Sequence, residues 1–192
     1  MPDAHARDDE EGSAALAPVL PTASLEARRE WHMAAGRWLL SAARSIPKAS
    51  KDWEEHGSAW LRPGALFGAV IIPAGLIHAA LGLDDPAACA PPLAEVLGGP
   101  MFYSYDDFAR QGSYTALVPV SAGQDWGMPG TVAHSHRGLL LVPAPGVIEP
   151  QERDPWWVVP LDGPDRLCSP DRLAALIRLG RDAIRTAGDG DA

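Results

Sequence analysis

The chain is poor in lysine and in cysteine. Lys48 and Lys51 are its only lysines, and Cys89 and Cys168 its only cysteines. Its 25 acidic residues outweigh 16 basic ones and leave a formal net charge of −9. A long duplex-binding surface draws its affinity from clustered Lys and Arg that displace counterions, so this balance excludes one as the main source of binding. A local patch built from Arg28, Arg29, Arg37, Arg44, Lys48 and Lys51 stays open. The two cysteines lie far apart, outside any CxxC or Cys/His cluster, which predicts isolated buried thiols in a reducing compartment. The opening MPDAHARDDEEGS has no basic stretch followed by an apolar one, so it lacks a secretory signal and predicts a cytoplasmic protein.

Several catalytic signatures are missing as well. There is no GxSxG elbow for a serine nucleophile, no GxxxxGK phosphate loop and no GxGxxG turn. The longest apolar run, Ala65 to Leu83, approaches membrane-spanning length. It is interrupted by Gly68, Pro73, Gly75, His78 and Gly82, and divides into a strand and a helix of a water-soluble core.

Residues 1–20 are acidic and then rich in Ala and Pro, which predicts a disordered tail. From Ser24 to Ile46, residues Leu25, Trp31, Ala35, Trp38, Leu39, Ala42 and Ile46 recur at helical spacing, predicting one long amphipathic helix with Trp31 and Trp38 on its core face. A loop carrying Pro47 and KDWEEHGS is expected next. Phe67 to Ile72 is β-branched enough for a buried strand, and Pro73 opens a helix that ends near Gly82. The three prolines of DDPAACAPPLAEVLGG leave a short helix over Leu93 to Leu97.

MFYSY and YTALVPV predict two antiparallel strands around DDFARQGS, and TVAH, GLLLV and WWVVP continue a β-rich half. Ser169 as N-cap, Pro170 in the first turn, and Leu173, Leu176, Ile177 and Ile184 predict a docked C-terminal helix. The order implies an α+β fold: a mixed, mostly antiparallel sheet covered by N-terminal and C-terminal helices packed on one side. The expected division is a tail over 1–20, one domain over 21–187 and a disordered terminus over 188–192.

The most chemical stretch is GTVAHSHRGLLLV, which sets His134 and His136 two apart. Residues at i and i+2 of a strand share a face, so the pair could hold a metal or a phosphate. PGTVAHSH resembles the opening of the metal-binding cupin motif, where a glutamate follows by four or five residues. Here those positions are Leu140 and Leu141, and His136 is the last histidine of the chain. A zinc or iron site needs three protein ligands as a rule, so no metal is expected. The turn residues Arg137 and Gly138 place the pair at a strand end, where His134, His136 and Arg137 are candidates for contact with an anion or other ligand.

Asp84 and Asp85, and Asp106 with Asp107, are adjacent pairs and face opposite ways on a strand, which suits turns better than metal carboxylates. Cys168 precedes a helix N-terminus, where the dipole lowers a thiol pKa, although a small buried residue is the simpler reading. Most of the seven tryptophans are expected in the core. Trp126, in the polar loop GQDWGMPG, is the one expected to be exposed.

LRPGALFGAVIIPAGLIHAALG, YTALVPVSAGQDW and WWVVPLDGPDRLCSPDRLAALI, spanning Leu61 to Ile177, resemble a family of small actinobacterial proteins described as similar to the bifunctional DNA primase/polymerase N-terminal domain. The resemblance implies a compact α+β domain related to the catalytic core of primase-polymerases. That superfamily carries an apolar strand ending in Asp-x-Asp or Asp-x-Glu, then a histidine motif and a later aspartate. The matching strand here, FGAVIIPAG, has no carboxylate, and templated nucleotidyl transfer needs carboxylates to hold metal ions. The implied protein is a catalytically degenerate relative, without cofactor, that binds a partner protein, a nucleotide or single-stranded nucleic acid. The rival expectation is a primase/polymerase-like or metal-dependent enzyme using the His134/His136 strand end with Asp125 or Asp162 as its acid.

Overall fold

The computed structural model describes residues 22–106, 111–134 and 136–190. The tail expected over 1–20 lies outside the described residues, as do Asp107 and Ser135.

The helix expected from Ser24 to Ile46 is two helices, α1 (Thr22–Leu40) and α2 (Ile46–His56). The expected loop around Pro47 is therefore helical. Ser45 caps α2 by accepting from the Lys48 amide at 3.5 Å, and proline sits in the first turn, where a missing N–H costs nothing. Gly57, at φ 67°, closes the helix by returning its N–H to the Trp53 carbonyl. A short strand absent from the expected scheme, β1 (Ser58–Leu61), follows at once.

The strand-then-helix unit is present as β2 (Gly68–Pro73) and α3 (Ala74–Leu81), with Gly82 in the left-handed conformation at the helix end. After α4 (Ala90–Leu97) come β3 (Met101–Asp106) and β4 (Gln111–Val118), antiparallel partners in register from Met101↔Ala116 to Asp106↔Gln111. The remainder is a short helix α5 (Val120–Gln124), strands β5 (Val132–Ala133), β6 (Leu140–Pro143) and β7 (Trp156–Val159), and α6 (Pro170–Gly190). The helix α6 thus runs past residue 187, where the ordered domain was expected to end.

The architecture is α+β. Among the described residues one five-stranded sheet has the order β5-β2-β4-β3-β7, a two-stranded ribbon joins β1 to β6, and every pairing is antiparallel. Side-chain alternation along each strand builds two cores, one on each face. On one face Val70, Ile72, Met101, Tyr114 and Ala116 pack against Ile77 of α3, Leu93 of α4, and Leu173, Leu176 and Ile177 of α6. On the other, Ala69, Phe102, Leu117 and Trp157 pack against Ala35 and Leu39 of α1, Ala49 of α2, and the ribbon.

Helices therefore cover both faces, not one as expected: two-sided apolar strands such as β7, buried along its whole length, require a cover on each side. Gly180 lets α6 approach α3 closely, because a side chain there would overlap the Leu76 carbonyl. Leu173, Leu176 and Ile177 are buried as expected, whereas Ile184 is half exposed further along α6. Among the described residues, no helix is long and apolar enough to cross a membrane.

A polar pair sits within the first core. The His78 Nε2 lies 3.1 Å from the Tyr114 hydroxyl, with the rings edge to face at 5.7 Å. Burial raises the Tyr114 pKa, so the phenol stays protonated. Burial lowers the His78 pKa from its ordinary 6.5, against the opposing pull of Asp84 and Asp85. The unfolded chain then takes up the proton first as the pH falls. Stability is expected to be whole above pH 6.5 and to decline as the pH drops below it toward the lowered folded value. Melting temperatures of wild type and His78→Gln across this window check the assignment: the variant should show the flatter profile, and equal slopes would refute it.

Candidate functional site

The strand β5 is two residues long and forms the edge of the large sheet beside β2, with Val70↔Ala133 and Ile71↔Val132 in register. The pairing continues one residue further, since the His134 amide donates to the Ala69 carbonyl at 2.8 Å. His134 and His136 thus stand at a strand end, and both line one cleft of about 350 Å³.

Its remaining walls come from three places: Pro63 and Gly64 before β2, Gly68 at the start of β2, and Val120, Gly123 and Gln124 of α5. Gly68 and Gly123 are a matched pair. A Cβ on Gly68 would stand 2.9 Å from the Gly123 Cα, so two glycines let α5 lie directly on the strand. Gly64, at φ 108°, turns the chain under His136, whose Cβ would be 2.6 Å from any Cβ placed at residue 64. The sheet edge, a glycine turn and a short helix therefore converge on the two imidazoles.

The electrostatic character of the cleft differs from that of the chain. Among the described residues no Asp or Glu lines it, although the protein carries nine excess negative charges. The polar side chains among them are two imidazoles and the Gln124 carboxamide. His136 is exposed at the mouth. The His134 Nε2 is closed off from solvent and has no hydrogen-bond partner in the protein. Buried polar atoms are nearly always paired, so an orphan of this kind calls for an explanation.

The approach to β5 is built by a short loop. The Trp126 indole N–H donates to the Thr131 hydroxyl at 2.9 Å, and that hydroxyl donates to the Met128 carbonyl at 2.7 Å. Trp126 and Met128 pack against the first core. Trp126 is therefore half-buried and bonded, not exposed as its polar glycine loop suggested: the indole turns inward and finds its acceptor five residues on. Trp31 departs in the opposite sense, being 50% exposed where the helical pattern placed it in the core.

Other sequence candidates are dispersed. Asp125 is exposed at the end of α5, one residue past Gln124, and does not line the cleft. Asp162 follows β7 at the opposite edge of the sheet, where it pairs with Arg166 at 3.2 Å. It cannot serve the histidines, because the strand order puts the whole sheet between them. Arg137 is exposed on the turn after His136 and is outside the lining. Among the described residues, no group of three or more His, Cys, Asp or Glu is placed to hold a metal ion.

Burial lifts the Cys168 pKa to about 12, overturning the lowered value that a helix N-terminus suggested, and the thiol donates to the Pro100 carbonyl at 3.2 Å. Of the basic set, the Arg28 and Arg29 side chains lie outside the described residues, and Arg37 and Arg44 are exposed. Lys48 pairs with Asp52 at 2.8 Å and Lys51 with Glu55 at 3.5 Å. Such pairing along one helix face offsets the charge of the two lysines.

Gly64, Gly68, Gly123 and Gln124 carry no local signature by which sequence reasoning could have selected them. A scan of protein-family models finds no match to this chain, and searches of curated proteins and of solved structures find none either.

The orphan nitrogen has a measurable consequence. Leaving a buried polar atom unpaired costs on the order of 1–3 kcal/mol, whereas an apolar group of similar shape removes that cost. The variant His134→Leu is expected to unfold at a higher denaturant concentration than wild type, by about 1 kcal/mol in the ligand-free protein. Chemical unfolding of both proteins measures it, and a clearly destabilised variant would show that the imidazole is needed for the fold.

Proposed function

We propose that the protein is a non-catalytic binding protein whose cleft takes a small molecule by an oxyanion, a phosphate or carboxylate group. The observation that carries this reading is the His134 Nε2, which has no partner and is shielded in the ligand-free fold, so that the ring must turn toward the cleft for a ligand to reach it. An imidazole nitrogen left unsatisfied in the folded chain is available to a group outside it. Among the described residues the lining supplies imidazole and carboxamide N–H donors and no carboxylate, which favours an acceptor-rich anion over a cation.

The resemblance over Leu61 to Ile177 fits the same reading, since a nucleotide presents such a group. The strand β2 carries no carboxylate and ends in proline. A degenerate relative of the primase-polymerase domain would keep a ligand cleft without the metal ligands for nucleotidyl transfer. The enzymatic alternative has the less favourable geometry, because Asp125 is outside the cleft lining and Asp162 is at the far sheet edge.

Thermal unfolding with inorganic phosphate, acetate and a nucleoside monophosphate tests the proposal. A ligand that binds only the folded state stabilises it by about 2.7 kcal/mol at a hundred times its Kd. At least one of these anions should raise the melting temperature of wild type in a saturable way and leave His134→Ala unmoved. No shift with any of them, or equal shifts in both proteins, would refute it.

A further inference from the structure

We infer that the Thr131 hydroxyl is a positioning group for His134, and that the Trp126–Thr131 clip sets the affinity of the cleft. The inference rests on the reading of the cleft as an anion site and adds the residues that hold its central imidazole in place.

The strand that presents His134 is weakly held by its own ladder. It has two residues, lies at a sheet edge, and its Val132 is 61% exposed. So short an edge strand cannot fix a side-chain direction alone, because few ladder bonds oppose fraying. What precedes it is stiffer. The Thr131 hydroxyl is at once acceptor for the Trp126 indole at 2.9 Å and donor to the Met128 carbonyl at 2.7 Å, so one oxygen closes the turn twice. Trp126 and Met128 are themselves wedged against the core beneath the sheet.

The clip also joins the two walls along the chain: it follows Gln124 of one wall and precedes Ala133 and His134 of the other, and none of its own residues lines the cleft. The hydroxyl bonds to Trp126 and Met128, neither of which lines the cleft, and acts through the backbone that leads to His134.

The substitution Thr131→Val keeps the shape and β-branching of the side chain and deletes both hydrogen bonds, while Thr131→Ser keeps the hydroxyl. Two readouts are needed. Long-range imidazole NMR spectra of the ligand-free proteins should show the His134 resonances displaced or broadened in Thr131→Val, restored in Thr131→Ser, and the His78 resonances unchanged throughout. Titration with inorganic phosphate should show affinity lowered about ten-fold in Thr131→Val and recovered in Thr131→Ser, with both variants cooperatively folded.

Unaltered His134 resonances in a folded Thr131→Val protein would overturn the positioning role. So would a Thr131→Ser protein that behaves like Thr131→Val. If wild type itself fails to bind phosphate, the anion reading of the cleft falls for that probe, and the imidazole spectra still decide whether the clip orients His134.

Discussion

The fold depends on a large antiparallel sheet being covered on both faces, and Trp157 is where that constraint is met most directly. Its indole, 1% exposed, packs edge to face on Phe102 at 5.4 Å on one side of the sheet. Its N–H reaches across to the carbonyls of Pro143 and Ala144 at 3.2 and 3.1 Å. The residue before it, Trp156, packs into the opposite core beside Tyr103. Consecutive tryptophans on one strand thus fill both cores, and the second also ties the β1–β6 ribbon to the sheet. The ribbon is bound again by the Trp53 indole, which donates to the Val142 carbonyl at 3.1 Å.

A sheet closed in this way leaves its edges as the places where chemistry can sit. The β5 edge is the one where glycines thin the walls and imidazoles enter. Gly64, Gly68 and Gly123 lack side chains where α5 and the turn before β2 approach the strand, so these segments close directly on one another and wall the cleft. Among the described residues its side-chain hydrogen-bonding groups are two histidines and a glutamine, one of the histidines with a buried nitrogen unmatched.

Much of the fold was legible because it is written in local patterns. The apolar run of β2, the hairpin of β3 and β4, and the Ser169-Pro170 opening of α6 all repeat at strand or helix period within a short window. Pro47 misled because proline breaks a helix in its interior and starts one in its first turn; Ser45 before it and Gly57 after it were the signs of the second case. The strand β1 offers only four residues, too few for alternation to stand out from a loop. Trp126 and Trp31 exchanged their expected environments because exposure follows from tertiary neighbours, which composition does not encode. The HxH pair was visible as a motif. Its partners in the cleft were not, since Gly64, Gly68 and Gly123 come to the histidines from distant segments, by strand pairing, by a turn against His136 and by the contact of α5 with Gly68.

The central claim is that the unmatched nitrogen of His134 is matched by a ligand. The ¹⁵N shift of the His134 Nε2, followed as inorganic phosphate is added, measures this most directly. The account predicts a saturable move of that signal from the unbonded toward the hydrogen-bonded range while the His78 signals stay fixed. A His134 signal that remains still while phosphate binds elsewhere on the protein would contradict it.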